Sequence, residues 1–343
     1  MREDDLLVLR GPEVEFLLAG REAEIMSTVQ RAYELHALGK TALPYSAFLR
    51  FPQDKSSRII ALPAYLGDGF EIAGLKWISS FPGNIAHGVD RASGVLILNS
   101  MRTGRPEAVI EASVINAKRT AASAALAARH LASDAPQETL GVIGCGVINF
   151  EIVRFIKVVY PGIKRLLLFD LDRARACIFQ RRCLQAFDLE TARIVSDLKT
   201  AMKSSTLISL ATTAAAPHIF ELPQCPPCAT ALHISLRDFA PEIILSCENI
   251  VDDSDHVCRA QTSLDLAQQL MGNRDFIQAS LASVMAGSYK PGTLPGSKLR
   301  IFSPFGLGIL DIAVGALLRD LACQEQKGTI IGSFVSPCWQ HGN

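Results

Sequence analysis

The chain has 343 residues, 49% apolar and 20% charged, with 34 basic and 34 acidic side chains that balance to a formal charge of zero. That length suggests two domains with cores large enough to stand without disulfide staples. Neutrality excludes the basic footprint that nucleic acid or an anionic membrane surface requires, and the apolar fraction excludes a disordered chain. The opening Met1-Arg2-Glu3-Asp4-Asp5 leads into no apolar signal core. The longest apolar stretch, 301–318, is interrupted by Pro304, Asp311 and several glycines and fails as a membrane span. The expectation is a soluble cytoplasmic protein with no membrane partner. Nine cysteines, an odd number without scaffold spacing, suit a reducing compartment. Cys225-Pro-Pro-Cys228 has redox or zinc spacing, but it lacks a strand–helix context and a second ligand pair. It reads as a proline-rich loop, and no metal is expected.

Residues 12–39 show apolar positions recurring at three and four and predict a helix ending at Gly39. Strand-like runs follow at 46–51, 58–65, 71–79 and 94–99, separated by Pro, Gly and Asp clusters, and suggest an antiparallel meander. The Ala-rich stretch 112–131 predicts a helix, broken by Asp134-Ala135-Pro136, where a domain boundary is placed. Beyond it, continuous apolar runs at 139–143, 165–169, 192–195, 206–211, 231–236 and 249–253 alternate with helical stretches at 147–160 and 172–187. That pattern indicates a parallel sheet covered on both faces. A last helix, 307–324, is expected to return to the first domain. The fold class is therefore α/β: a Rossmann-type parallel-sheet dinucleotide domain over 134–306, plus an α+β substrate-binding and dimerisation domain over 1–133 with 307–343.

Gly144-Cys145-Gly146-Val147-Ile148-Asn149 closes the first strand of the second domain and opens a helix. The first glycine permits the tight turn and the second lets backbone approach a pyrophosphate at the helix N-terminus. The third position, ordinarily Gly or Ala, is Asn149. Asp170 ends the next strand, about where an acid that binds the ribose hydroxyls is expected. It would repel a 2′-phosphate, so NAD is favoured over NADP, although Arg173 and Arg175 stand nearby in sequence.

In the first domain Arg58, Lys76, Arg91 and Arg119 lie within or beside apolar segments. A buried cation must find an anion, and together these four suggest a pocket for a ligand rich in carboxylates. Lys118, beside Arg119, is expected to face solvent.

The segments Arg58-Ile-Ile-Ala-Leu-Pro, Gly74-Leu-Lys-Trp-Ile, Gly94-Val-Leu-Ile-Leu-Asn, Arg119-Thr-Ala-Ala, the Gly144 turn and Ser303-Pro-Phe-Gly-Leu-Gly resemble those of the ornithine cyclodeaminase and mu-crystallin family over nearly the whole chain. Residues 90–99 and 140–148 are most similar to its branch of NAD-dependent N-(2-amino-2-carboxyethyl)-L-glutamate dehydrogenases. The resemblance implies a homodimer built through the strand-rich domain, NAD as cofactor, and release of L-2,3-diaminopropionate and 2-oxoglutarate toward a siderophore or an antibiotic. It implies that Lys76 and Arg119 hold a substrate carboxylate, with Arg58 as a third basic contact. It matches Asp238 to the family's catalytic aspartate and sets Thr120, Thr212 and Ser303 along the cofactor. Ornithine cyclodeaminases carry a lysine four residues after that aspartate, where this chain has Glu242; the difference argues against cyclisation to proline. The alternatives are another oxidoreductase of the family, such as an ornithine cyclodeaminase, alanine dehydrogenase or ketimine reductase, or a non-catalytic dinucleotide-binding protein of the mu-crystallin sort.

Overall fold

The computed structural model describes residues 4–133, 136–292, 294, 296 and 299–336. Contacts divide the chain into two compact units, 1–119 with 307–343, and 120–306. The expected boundary at 133/134 thus moves forward into a helix. The reason is the Ala-rich half of that helix: Ala121, Ala122 and 124–128 are fully buried. A helix apolar on every side needs cover all round, and it finds that cover in the second unit. Tyr160 Oη donates to Ala128 O at 2.9 Å and Thr230 Oγ1 to Leu131 O at 3.2 Å.

The first unit carries β1 (Leu6–Leu9), helices α1 (Gly11–Leu18) and α2 (Glu22–Ala37), then β2 (Thr41–Ala42), β3 (Ala47–Phe51), β4 (Asp54–Leu66), β5 (Ile72–Ser80), β6 (Ala92–Ser100) and β7 (Pro106–Glu111), before α3 (Ser113–Leu131). The single helix expected over 12–39 is two, because Gly20 at φ +72° turns the chain between them. β3 to β6 form the expected antiparallel meander, and β7 continues it. β1 extends it in parallel beside β7, and the strand Thr329–Ile331 closes that edge. β1, β7 and this last strand lay outside the sequence reading. They are short, and runs of three to six residues leave little periodicity to detect.

The last helix, Gly308–Gln324, lies on the β4–β6 face of this sheet. Gly308 packs against Leu62, and Ile312 against Gly74. The same face bears Arg58, Leu62, Lys76, Ile78 and Ser80, since Arg58 pairs with Ser80 and Leu62 with Lys76 across the ladder.

The second unit is an all-parallel sheet of β8 (Thr139–Ile143), β9 (Arg165–Phe169), β10 (Thr191–Ile194), β11 (Leu207–Leu210), β12 (Thr230–His233), β13 (Glu248–Val251), β14 (Ile277–Ser280) and β15 (Arg300–Ser303). Its spatial order is β10-β9-β8-β11-β12-β15-β13-β14. The order reverses between β8 and β11, the switch point where such sheets bind ligands beyond their carboxyl ends. Helices α4 (Val147–Val159) and α5 (Arg173–Ala186) follow β8 and β9. No helix among the described residues is long and apolar enough to cross a membrane.

Candidate active site

In the first unit three elements bring four polar side chains together. Lys76 from β5 and Asp311 from the last helix are buried almost completely, and Arg119 at the middle of α3 nearly so. Lys76 Nζ lies 2.8 Å from Asp311 Oδ2, out of hydrogen-bond line, and donates its hydrogen bond to Asn116 Oδ1 at 2.9 Å. Arg119 Nε donates to Asp311 Oδ1 at 2.9 Å, and its Nη2 to Asn116 Oδ1 at 2.8 Å. Asp311 and Asn116 therefore occupy the Nε side of the guanidinium. Its outer Nη1 has no partner among the described residues. Two cations share one carboxylate, so the cluster holds one positive charge in excess. Burial, then the neighbouring Arg119, pushes the Lys76 ammonium down to about 8 against the opposing pull of Asp311.

Two further cations stand at one end of the same sheet. Arg91 Nη1 donates to Ser80 Oγ at 2.6 Å and makes no ion pair among the described residues; burial lowers its pKa. Arg58 lies directly across the ladder from Ser80. Lys76 and Ser80 are four positions apart on one face of β5, roughly 13 Å at the ordinary strand rise. Lys118 corrects its expectation: it is buried, not solvated.

In the second unit the Gly144 turn joins β8 to α4. Gly144 has φ +90°, and a side chain there would press into the Ala211 carbonyl. A side chain added at Gly146 would meet nothing within 4 Å; the residue is the N-cap of α4, with no side-chain hydrogen bond capping the helix N-terminus. A pyrophosphate fits such an end, where amide hydrogens and the helix dipole both face out. Cys145 is buried, whereas Val147, the first helical residue, is exposed and Ile148 beside it half-buried. Asp170 Oδ2 accepts from Cys145 N at 2.7 Å and Oδ1 from Asp172 N at 2.9 Å. The carboxylate thus pins the turn with one bond at each oxygen and has further lone-pair directions beyond them.

Asn149, the departure from the usual turn, is fully buried. Its Nδ2 donates to Ile143 O at 2.9 Å and Gly144 O at 2.6 Å, and its Oδ1 accepts from Ser209 Oγ at 2.6 Å. An amide strut between β8, the turn and β11 stands where a bare Gly or Ala would simply let the helix approach the sheet.

Asp238, after β12, is a hydrogen-bond hub with no exposed surface. Its Oδ1 accepts from Thr212 Oγ1 at 2.5 Å and His218 Nε2 at 3.1 Å. Its Oδ2 accepts from Ser235 Oγ and lies 3.3 Å from His233 Nε2. His233 Nδ1 is 3.1 Å from Ser303 Oγ, so Thr212, Asp238 and Ser303 form one chain of contacts at the carboxyl ends of β11, β12 and β15. Burial works against the charged carboxyl, but hydrogen bonding from His218 and Ser235 and the adjoining His233 ring together outweigh it and hold Asp238 well below the usual carboxylate range. Asp238 does not cap the short helix 241–245; Ala240 does. Thr120 is buried on α3, where the second unit begins.

Cys225 and Cys228 are free thiols, the first half-buried and the second exposed. Sequence reasoning missed Asp311, Asn116 and His218. Asp311 had left a signal, as the one charge between Ile301 and Leu318. Asn116 and His218 left none.

A parallel sheet with an open glycine turn at its switch point, and a strand-rich unit holding buried cations, define a two-unit dinucleotide-binding protein. The chain belongs to the ornithine cyclodeaminase/mu-crystallin family, whose sequence profile matches residues 7–326. It is 26% identical over 336 residues to N-((2S)-2-amino-2-carboxyethyl)-L-glutamate dehydrogenase of Staphylococcus aureus, covering 96% of this chain and 99% of that one. Alanine dehydrogenase of Archaeoglobus fulgidus is 28% identical over 339 residues, covering 96% and 99%. A solved archaeal alanine dehydrogenase dimer with bound NAD matches with a TM-score of 0.82 at 26% identity, covering 95% of this chain and 99% of that one.

Proposed function

We propose that this protein is an NAD-dependent oxidoreductase acting on the CH–NH group of an amino acid that carries several carboxylates. The substrate is of the N-(2-amino-2-carboxyethyl)-L-glutamate type, cleaved oxidatively to L-2,3-diaminopropionate and 2-oxoglutarate. The observation that carries this reading is the number of cations on one unit. Lys76 and Arg119 suffice for one carboxylate, and Arg91, which makes no ion pair among the described residues, adds charge for another, with Arg58 a fourth cation on the same sheet, across the ladder from Ser80. An alanine site needs no such surplus. Arginine forks grip carboxylates through two parallel bonds and would fix the reacting carbon.

NAD suits the second unit. The open N-terminus of α4 receives its pyrophosphate, Asp170 the adenosine ribose, and the segments of Thr120, Thr212 and Ser303 line the cofactor. When bound, NAD supplies the hydride acceptor. We also read the protein as a homodimer. The sheet face opposite Lys76 carries Leu49, Ile59, Leu75 and Trp77, and Leu49 and Trp77 are exposed. Apolar side chains on one sheet face favour cover by a second copy, and light scattering at micromolar concentration tests it.

The reaction is tested by supplying NAD with N-(2-amino-2-carboxyethyl)-L-glutamate, L-alanine, L-ornithine or L-proline in parallel. NADH absorbance is followed and products are identified by mass. Appearance of 2-oxoglutarate with the first substrate at the highest kcat/KM is expected. A preference for alanine would make the chain an alanine dehydrogenase instead.

A further inference from the structure

The carboxylate of Asp238 is engaged at both oxygens. An ionised carboxylate offers about four lone-pair directions; Thr212, His218 and Ser235 take three, and His233, whose Nε2 accepts from Asp238 N at 3.2 Å, stands 3.3 Å from Oδ2 and covers the fourth. It has no exposed surface, and its charged form is strongly favoured. Such a group is a poor proton acceptor and offers nothing to a substrate directly. His218 differs on each count. Its side chain is 39% exposed, its Nε2 faces Asp238 Oδ1 at 3.1 Å, and its Nδ1 has no partner among the described residues. Because an ionised carboxylate can only accept, Nε2 must carry the hydrogen, which leaves the lone pair on Nδ1.

The backbone holds this arrangement. His218 N and Ile219 N both donate to Asp238 O, at 3.0 and 2.9 Å, and Ala240 N donates to Ile219 O at 2.9 Å. The loop 211–220 is thereby zipped to the loop after β12. His218 is the one ionisable side chain of that loop. From the facing elements it meets Asp238 and, through that carboxylate, His233, while Arg237 turns away to Ala260 O at 2.7 Å.

We propose that His218 is the general base and acid of the reaction and that Asp238 is its positioning residue, fixing the tautomer and orientation of the imidazole. The assignment rests on the amino-acid oxidation proposed above. As the substrate nitrogen gives its proton to His218 Nδ1, its lone pair forms the C=N bond and the α-hydrogen leaves with its electron pair for the nicotinamide of bound NAD. The exposed imidazolium then releases that proton to solvent, the one net proton of the reaction. The neutral ring next takes a proton from the water that adds to the C=N carbon and passes it to the nitrogen, giving a carbinolamine; it then takes the proton of the new hydroxyl as C=O forms and delivers it to the departing nitrogen as the C–N bond breaks.

The test compares wild type with His218→Gln, and with His218→Ala with and without added imidazole, on the amino acid that wild type oxidises best. The expected results are a loss of about 10²–10⁴-fold in kcat/KM, a kcat/KM pH profile whose shape differs from that of wild type, and partial rescue of His218→Ala by imidazole. NAD affinity by titration should stay within about twofold. Activity within tenfold of wild type in both variants, or an unmoved pH profile, overturns the assignment and leaves the oxidoreductase reading intact. If wild type oxidises no amino acid with NAD, that reading falls and the assignment falls with it.

Discussion

Asp311 Oδ1 receives the Nε hydrogen of Arg119 at 2.9 Å, inside the first unit and 192 positions away in sequence. The same carboxylate faces Lys76 at 2.8 Å, so one acid near the start of the last helix balances two buried cations. Removing its charge leaves both uncompensated, and breaking a buried pair by losing one partner costs about 3–5 kcal/mol. Asp311→Asn is therefore expected to lower the unfolding free energy by that order, measured by urea titration. A loss below about 1 kcal/mol would show that water reaches the cluster and screens it.

Arg119 is at once an ion-pair partner and a candidate substrate contact. Arg119→Lys keeps the charge but cannot reproduce both the Nε bond to Asp311 and a free fork for a carboxylate. A loss on the order of 10²-fold in kcat/KM is expected, since misplacing the reacting carbon by about 1 Å can cost that much. The melting temperature should fall as well, because the buried bond to Asp311 is lost. A lower melting temperature with normal turnover per folded molecule would confine Arg119 to structure.

Lys76 gives a pH dependence with a definite sign. Its ammonium is held at about 8, so raising the pH through that value removes the charge that attracts a carboxylate. The kcat/KM profile, which reports the free enzyme, is expected to fall above pH ~8, and Lys76→Arg should move that limb upward because arginine stays protonated. The stability linkage runs the other way. Between about 8 and the ordinary lysine value the unfolded chain binds the extra proton, so this group makes stability rise with pH. A flat kcat/KM profile from pH 7 to 10 would remove Lys76 from substrate binding.

Cofactor choice turns on Asp170. NAD is expected to support turnover better than NADP, and Asp170→Ala to weaken NAD by about tenfold or more, since bonds to a charged group are worth about 1.5–3 kcal/mol. The variant also unpins Cys145 N. Equal or better turnover of wild type with NADP would refute the preference and point to Arg173 as the phosphate partner.

Asn149→Ala removes a buried strut and strands Ser209 Oγ. A stability loss of about 1–3 kcal/mol is expected, together with weaker NAD binding as the turn loosens, by chemical denaturation and calorimetry. Unchanged NAD affinity would show that Gly144 and Asp170 alone fix the turn.

What the amino-acid order determined by itself is local. Continuous apolar runs at 139–143 and 165–169 spell buried parallel strands because both faces must be covered, and the glycine turn with Asp170 follows from backbone sterics and charge within some thirty residues. The lone acid in 301–318 could be seen as anomalous but not assigned, since no local rule says which cations it meets. Only the tertiary structure decided that Asp311 from the last helix pairs with Lys76 from β5 and Arg119 from α3, and that His218, in a loop with no periodic signal, lands on Asp238. Periodicity reports which face of one element is buried; partners across elements are set by sheet order and helix packing, and charges brought together from distant segments leave no spacing in the sequence to read.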